Sequence, residues 1–199
     1  MLITSDFEVP QPVERVWAYL LDVPRMAPNL PGTELTEVVD EDNYKGRVSV
    51  RMGPVSLRFA GTARIVERDE AGRRVVLNAA GAEERGKGQA SMVLTATLSK
   101  SAGGTRIAVE QDLTIAGAAA QYGRGMITDV SSVLMKQFAD NMQARISAVE
   151  RGESVDSVSA GSASGLSIGI SAMRLALMRV FRRFFLPYDP AQFPSRGGA

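Results

Sequence analysis

The chain has 199 residues, 45% hydrophobic and 23% charged, with a net charge of +1, the composition of one globular domain with an appendage and no reason to expect nucleic-acid binding. It contains no cysteine and no histidine, which excludes disulfides, thiolate nucleophiles, Ser-His-Asp triads and sulfur or imidazole metal ligands. The neutral average hides an asymmetry: residues from Leu166 onward carry +4, leaving −3 for Met1–Gly165.

The opening residues lack the charged start and long apolar run of a signal peptide, so the expected location is cytoplasmic. Ile3, Ser5, Phe7 and Val9 alternate with polar residues, the period of a half-buried strand. Pro10 and Pro12 end it, and Pro12 suits the first position of a helix. Val13, Val16, Trp17, Leu20 and Leu21 then follow the spacing of an amphipathic helix. Prolines 24, 28 and 31 allow at most a short second helix around Arg25–Leu30.

A run of strand patterns follows. Tyr44, Val48, Val50 and Met52 share one phase, Gly53-Pro54 marks a turn, and Val55, Leu57, Phe59, Gly61, Ala63 and Ile65 share the next. Further strands fit Arg74–Ala80, Gln89–Lys100 and Thr105–Ile115. Their short connections predict an antiparallel meander. A long helix is expected over Ala118–Arg151, with Tyr122, Met126, Val130, Val133, Leu134, Phe138, Met142, Ile146 and Val149 on its buried face. Gly117, Gly123 and Gly125 either delay its start or leave space beside it. The order predicts an α+β fold in which a curved antiparallel sheet wraps around a long terminal helix.

Several stretches carry a resemblance. Val16-Trp17-Ala18-Tyr19-Leu20-Leu21-Asp22 with Leu30-Pro31-Gly32 resembles the opening of the CoxG family of carbon monoxide dehydrogenase proteins, within the START-like (helix-grip) superfamily. So do Tyr44-Lys45-Gly46-Arg47-Val48 with Met52-Gly53-Pro54-Val55, then Gly61-Thr62-Ala63, then Gly123-Arg124-Gly125-Met126-Ile127 leading to Gln137-Phe138. The likeness covers about Met1–Val149. It implies a hydrophobic cavity between sheet and helix, and a non-enzymatic carrier of an isoprenoid quinone (menaquinone or ubiquinone) or another lipid. The implied partner is a molybdenum hydroxylase of the CO dehydrogenase type, linked to the respiratory quinone pool.

The candidate lining comprises Trp17, Met26 and Leu30 before the meander; Tyr44, Val48, Val50, Phe59 and Ala63 on the first long strands; and Met92, Leu94 and Ile115 on the later ones. The helix would add Tyr122, Gly123, Arg124, Met126, Ile127, Val130, Leu134 and Phe138. Small residues on both sides fit either a hollow or very close packing. Tyr44, Tyr122 and Arg124 would orient a polar head group if they reach it; Arg124 otherwise is a surface charge and the tyrosines ordinary core. Glu83 and Glu84 are read as a solvated charged turn. No catalytic or metal-binding set emerges.

Residues 1–151 thus form the expected ligand-binding domain. Residues 152–165, rich in serine, glycine and alanine, read as a flexible linker. Residues 166–199 form a basic tail whose stretch to Leu186 gathers Leu177, Val180, Phe181 and Phe184 on one helical face and Arg174, Arg179, Arg182 and Arg183 on the other. Each arginine costs ~2.5–3.5 kcal/mol at a bilayer centre, so spanning is disfavoured. An interfacial helix on anionic lipid fits better, at the cytoplasmic face of the inner membrane, with docking on a protein the alternative. The leading reading is a membrane-held carrier; its rival is a recruitment factor that anchors the dehydrogenase without a ligand.

Overall fold

The computed structural model describes residues 1–52 and 55–150. Strand β1 (Leu2–Val9) leads through helices α1 (Val13–Leu21) and α2 (Val23–Met26) and a 3₁₀ turn (Ala27–Asn29) into β2 (Thr33–Val38). Then follow β3 (Asn43–Met52), β4 (Val55–Asp69), β5 (Arg74–Glu83), β6 (Gln89–Ser101) and β7 (Gly104–Ala116). A 3₁₀ turn (Ala118–Tyr122) precedes the terminal helix α3 (Gly123–Glu150). All pairings are antiparallel, and the sheet runs β1-β7-β6-β5-β4-β3-β2, with the first strand closing against the last.

Directly paired residues of an antiparallel sheet share a face, so the register sorts the strands into an inner and an outer surface. Ile3, Tyr44, Leu57, Ile65, Val75, Ala96, Leu98, Ile107 and Val109 are buried on the inner one. Their polar neighbours, such as Asp6, Arg58, Arg64 and Glu110, are exposed. The helix is held by Met142, Ile146 and Phe138, with Phe138 meeting Phe7 edge to face at 6.3 Å.

Several sequence expectations shift. Pro12 caps α1 rather than occupying its first turn, its carbonyl accepting from the Val16 amide. Strand β2 is absent from the sequence reading because it is an exposed edge whose half-buried apolar residue is Leu35 alone. Strand β5 extends to Glu83, so Glu83 ends a strand instead of lying in a turn, and Glu84 forms an ion pair with Arg47 at 2.9 Å. The long helix starts at Gly123, not Ala118, because Gly117 and Gly123 both take positive φ, 82° and 74°, and bracket the 3₁₀ turn between them. Val149 is 43% exposed; Ala148 takes the buried position beside it. The linker 152–165 and the basic segment 166–199 lie outside the described residues.

Candidate functional site

The apolar interior divides into two packed clusters. One joins α1, β1 and the C-terminal half of α3, and holds Trp17 and Phe138 with Met26, Leu30 and Leu94 at its border. The Arg73 guanidinium lies 5.7 Å from the Trp17 ring centroid and closes that end. The other sits under the start of α3: Leu57, Ala119 and Val130, bordered by Val50, Phe59, Ile115, Tyr122, Met126 and Leu134.

Between them the inner face of the sheet carries almost no side-chain bulk. Gly46, Gly61, Gly81 and Ala90 pair in one row across β3–β6, and Ala63, Ala79 and Met92 in the next. These residues and Val48 are half-buried and belong to neither cluster. Helix α3 runs closest to β1 and the Ala27–Asn29 turn, not to this stretch of sheet. A row without side chains beneath a helix that stands off leaves a shallow hollow.

The glycines also bend the strands. A Cβ on Gly61 would collide with the Ala80 carbonyl oxygen, and one on Gly46 would lie 2.7 Å from the Glu34 carbonyl oxygen. Only glycine allows neighbouring strands to approach so closely.

The other candidates are placed as follows. Tyr44 is buried, but its hydroxyl already donates to the Glu41 carbonyl, and burial pushes its pKa up from the ordinary tyrosine value. It is therefore a poor head-group donor. Ile127 is buried. Arg124 is exposed on the first turn of α3. Gly123 is exposed too, and a Cβ there would meet nothing within 4 Å. It is glycine because of its left-handed φ, not because it walls a cavity. The Leu30-Pro31-Gly32 piece is structural as well. Gly32 has φ +77°, and a Cβ there would strike the Ser49 carbonyl. The Asn29 side chain donates to the Tyr19 hydroxyl at 2.8 Å, and Asn141 of α3 donates to the Asn29 carbonyl at 2.9 Å.

The sequence reading missed Gln111. Its inward phase on β7 follows Ile107 and Val109 and precedes Leu113 and Ile115, a polar break in an apolar series. It is 5% exposed, and its Oε1 accepts from Ser131 of α3 at 3.2 Å. Its Nε2 has no partner. Glu83 Oε2 is likewise buried without one, at the hollow's other end.

Two hollows of about 440 and 380 Å³ lie elsewhere, on the outer face. They share Thr62, Ala80, Ser91 and Thr114, one paired row across β4–β7, and so form a continuous uncharged trough there. Among the described residues no helix is long and apolar enough to cross a membrane, and no group of three acids is placed to hold a metal ion.

A curved seven-stranded antiparallel sheet gripping a long C-terminal helix is the START-like, helix-grip fold. Solved structures bear this out. A conserved protein from Geobacillus kaustophilus is 20% identical with a TM-score of 0.64, covering 74% of this chain and 95% of its own. A START superfamily protein from Mycobacterium smegmatis is 11% identical with a TM-score of 0.54, covering 74% and 98%. A Rhodobacter sphaeroides protein is 17% identical with a TM-score of 0.53, covering 74% and 93%. At these identities the likeness is one of fold. No curated protein matches the chain. The family is nevertheless shown: the family model for the carbon monoxide dehydrogenase protein CoxG matches residues 6–147, and the chain belongs to that family.

Proposed function

We propose that this protein is a carrier for an isoprenoid quinone or similar apolar lipid, serving a molybdenum hydroxylase of the CO dehydrogenase type from the cytoplasmic face of the membrane. The observation that carries the reading is the half-buried, nearly side-chain-free stretch of inner sheet between two separately packed clusters. Packed interiors rarely leave such space unfilled. The family's description supplies the partner. The basic, apolar segment to Leu186 supplies the tether, its arginines attracted to anionic lipid at ~1 kcal/mol each. Binding would be mainly apolar burial, at about 25 cal/mol per Å² of ligand surface removed from water.

The recruitment reading draws on a different observation. The outer trough of small, uncharged residues offers a protein partner close backbone approach. One experiment separates the two. The full chain, purified without detergent, is extracted with organic solvent and the extract analysed by mass spectrometry. The carrier yields a stoichiometric isoprenoid quinone or lipid. Repeated absence of lipid, with the dehydrogenase still co-purifying, defeats it in favour of recruitment.

A further inference from the structure

Gln111 is the one glutamine on the inward face of β7, 5% exposed, and directly paired with Leu94 on β6 and Ile3 on β1. Leu94, with its neighbours Met92 and Leu113, is half-buried along the wall of the inner hollow. A glutamine amide can make four hydrogen bonds, two as donor and two as acceptor. Here Ser131 of α3 donates to Oε1 at 3.2 Å and so fixes the amide, while Nε2 has no partner. Buried donors left unmade are rare in folded proteins because their lost hydration is not repaid. In an interior lined otherwise by aliphatic groups, a ligand oxygen is the group that would satisfy this one.

Resting on the carrier reading, we propose that Gln111 is the polar anchor of the hollow. Its Nε2 donates to a carbonyl-type oxygen on an otherwise apolar ligand, and Ser131 acts as the positioning residue that aims it. The anchor therefore lies beneath the middle of α3, not at the helix start where Tyr122 and Arg124 sit. It selects for an oxygen-bearing ring over a plain hydrocarbon, because only the former replaces the lost hydration of the amide.

The test uses the full chain and two probes: menaquinone-4, which carries ring carbonyls, and squalene, an isoprenoid without oxygen. Each is titrated by native mass spectrometry. Gln111→Met keeps the volume and removes the donor. It should weaken menaquinone-4 roughly tenfold and leave squalene unchanged, while Ser131→Ala gives a smaller loss in the same direction. Equal losses for both probes, or no loss for either, overturn the anchor while the carrier stands. Wild-type protein that takes up neither probe overturns the carrier and the anchor together. If Gln111→Met fails to fold, Ser131→Ala decides by the same comparison.

Discussion

Tyr44 shows how a residue's type can be legible while its role is not. Its phase on β3 marks it as inward, and it is buried, yet the hydroxyl is committed to the Glu41 carbonyl three residues back in the chain. Tyr44→Phe should cost about 1 kcal/mol of stability, the usual net value of one hydrogen bond, and leave ligand uptake unchanged. Desolvation raises the folded pKa above the unfolded value. The fold therefore favours the neutral phenol, so this contribution is complete below about pH 10 and is lost as pH rises through the raised folded value. In an alkaline absorbance titration Tyr44 should be the last of the four tyrosines to ionise, and Tyr44→Phe should remove that phase. A titration curve unaltered by the substitution would contradict it. Gln111 is the converse case. Its position in the alternation is readable from sequence, but its partner Ser131 is 20 residues away, and nothing local indicates which amide atom the helix satisfies.

At the scale of elements, the meander and the terminal helix are legible because burial on one face imposes a period on the sequence. Edge strand β2 buries too little to carry one, and the true start of α3 depends on two left-handed glycines whose φ values no periodicity reports. The candidate hollow is half legible in the same way. Small residues at Gly61, Ala63 and Ala79 are visible in the sequence, but the stand-off of α3 from them is a tertiary fact. This difference sorts the substitutions. Ala79 points inward between Ala63 and Met92. Ala79→Leu should fit the hollow with an unchanged or higher thermal midpoint while expelling bound lipid. In a filled core the same change costs ~1–3 kcal/mol in strain, and a lowered midpoint without any lipid to lose would sink the carrier. Gly61→Ala is the control: its Cβ meets backbone at Ala80 and Gly81, which cannot yield as a side chain can, so its midpoint must fall. Gly123→Leu is unsuitable as a filling substitution, since at φ +74° it measures backbone strain.

For the whole molecule the question is how a domain with a mildly acidic body reaches an anionic surface. Met1–Gly165 carries −3 and is repelled by such a surface, whereas the segment from Leu166 carries +4. Any attraction must therefore act through the end of the chain. Four arginines in the stretch to Leu186 together contribute a few kcal/mol near an anionic bilayer, an attraction that decays within a Debye length of about 8 Å at physiological salt. Leu177, Val180, Phe181 and Phe184, on the opposite helical face, would add apolar burial that salt does not screen. The two contributions are separable. Replacing Arg174, Arg179, Arg182 and Arg183 with glutamine should weaken pelleting with anionic liposomes in proportion to their anionic fraction, and leave a residue of salt-resistant binding. Truncation after Gly165 should abolish both parts, while the domain, whose described core lies wholly within residues 3–148, keeps its thermal midpoint. Pelleting that survives truncation would mean that the sheet or α3 itself contacts the bilayer, and the tail would then have to be assigned to a protein partner instead.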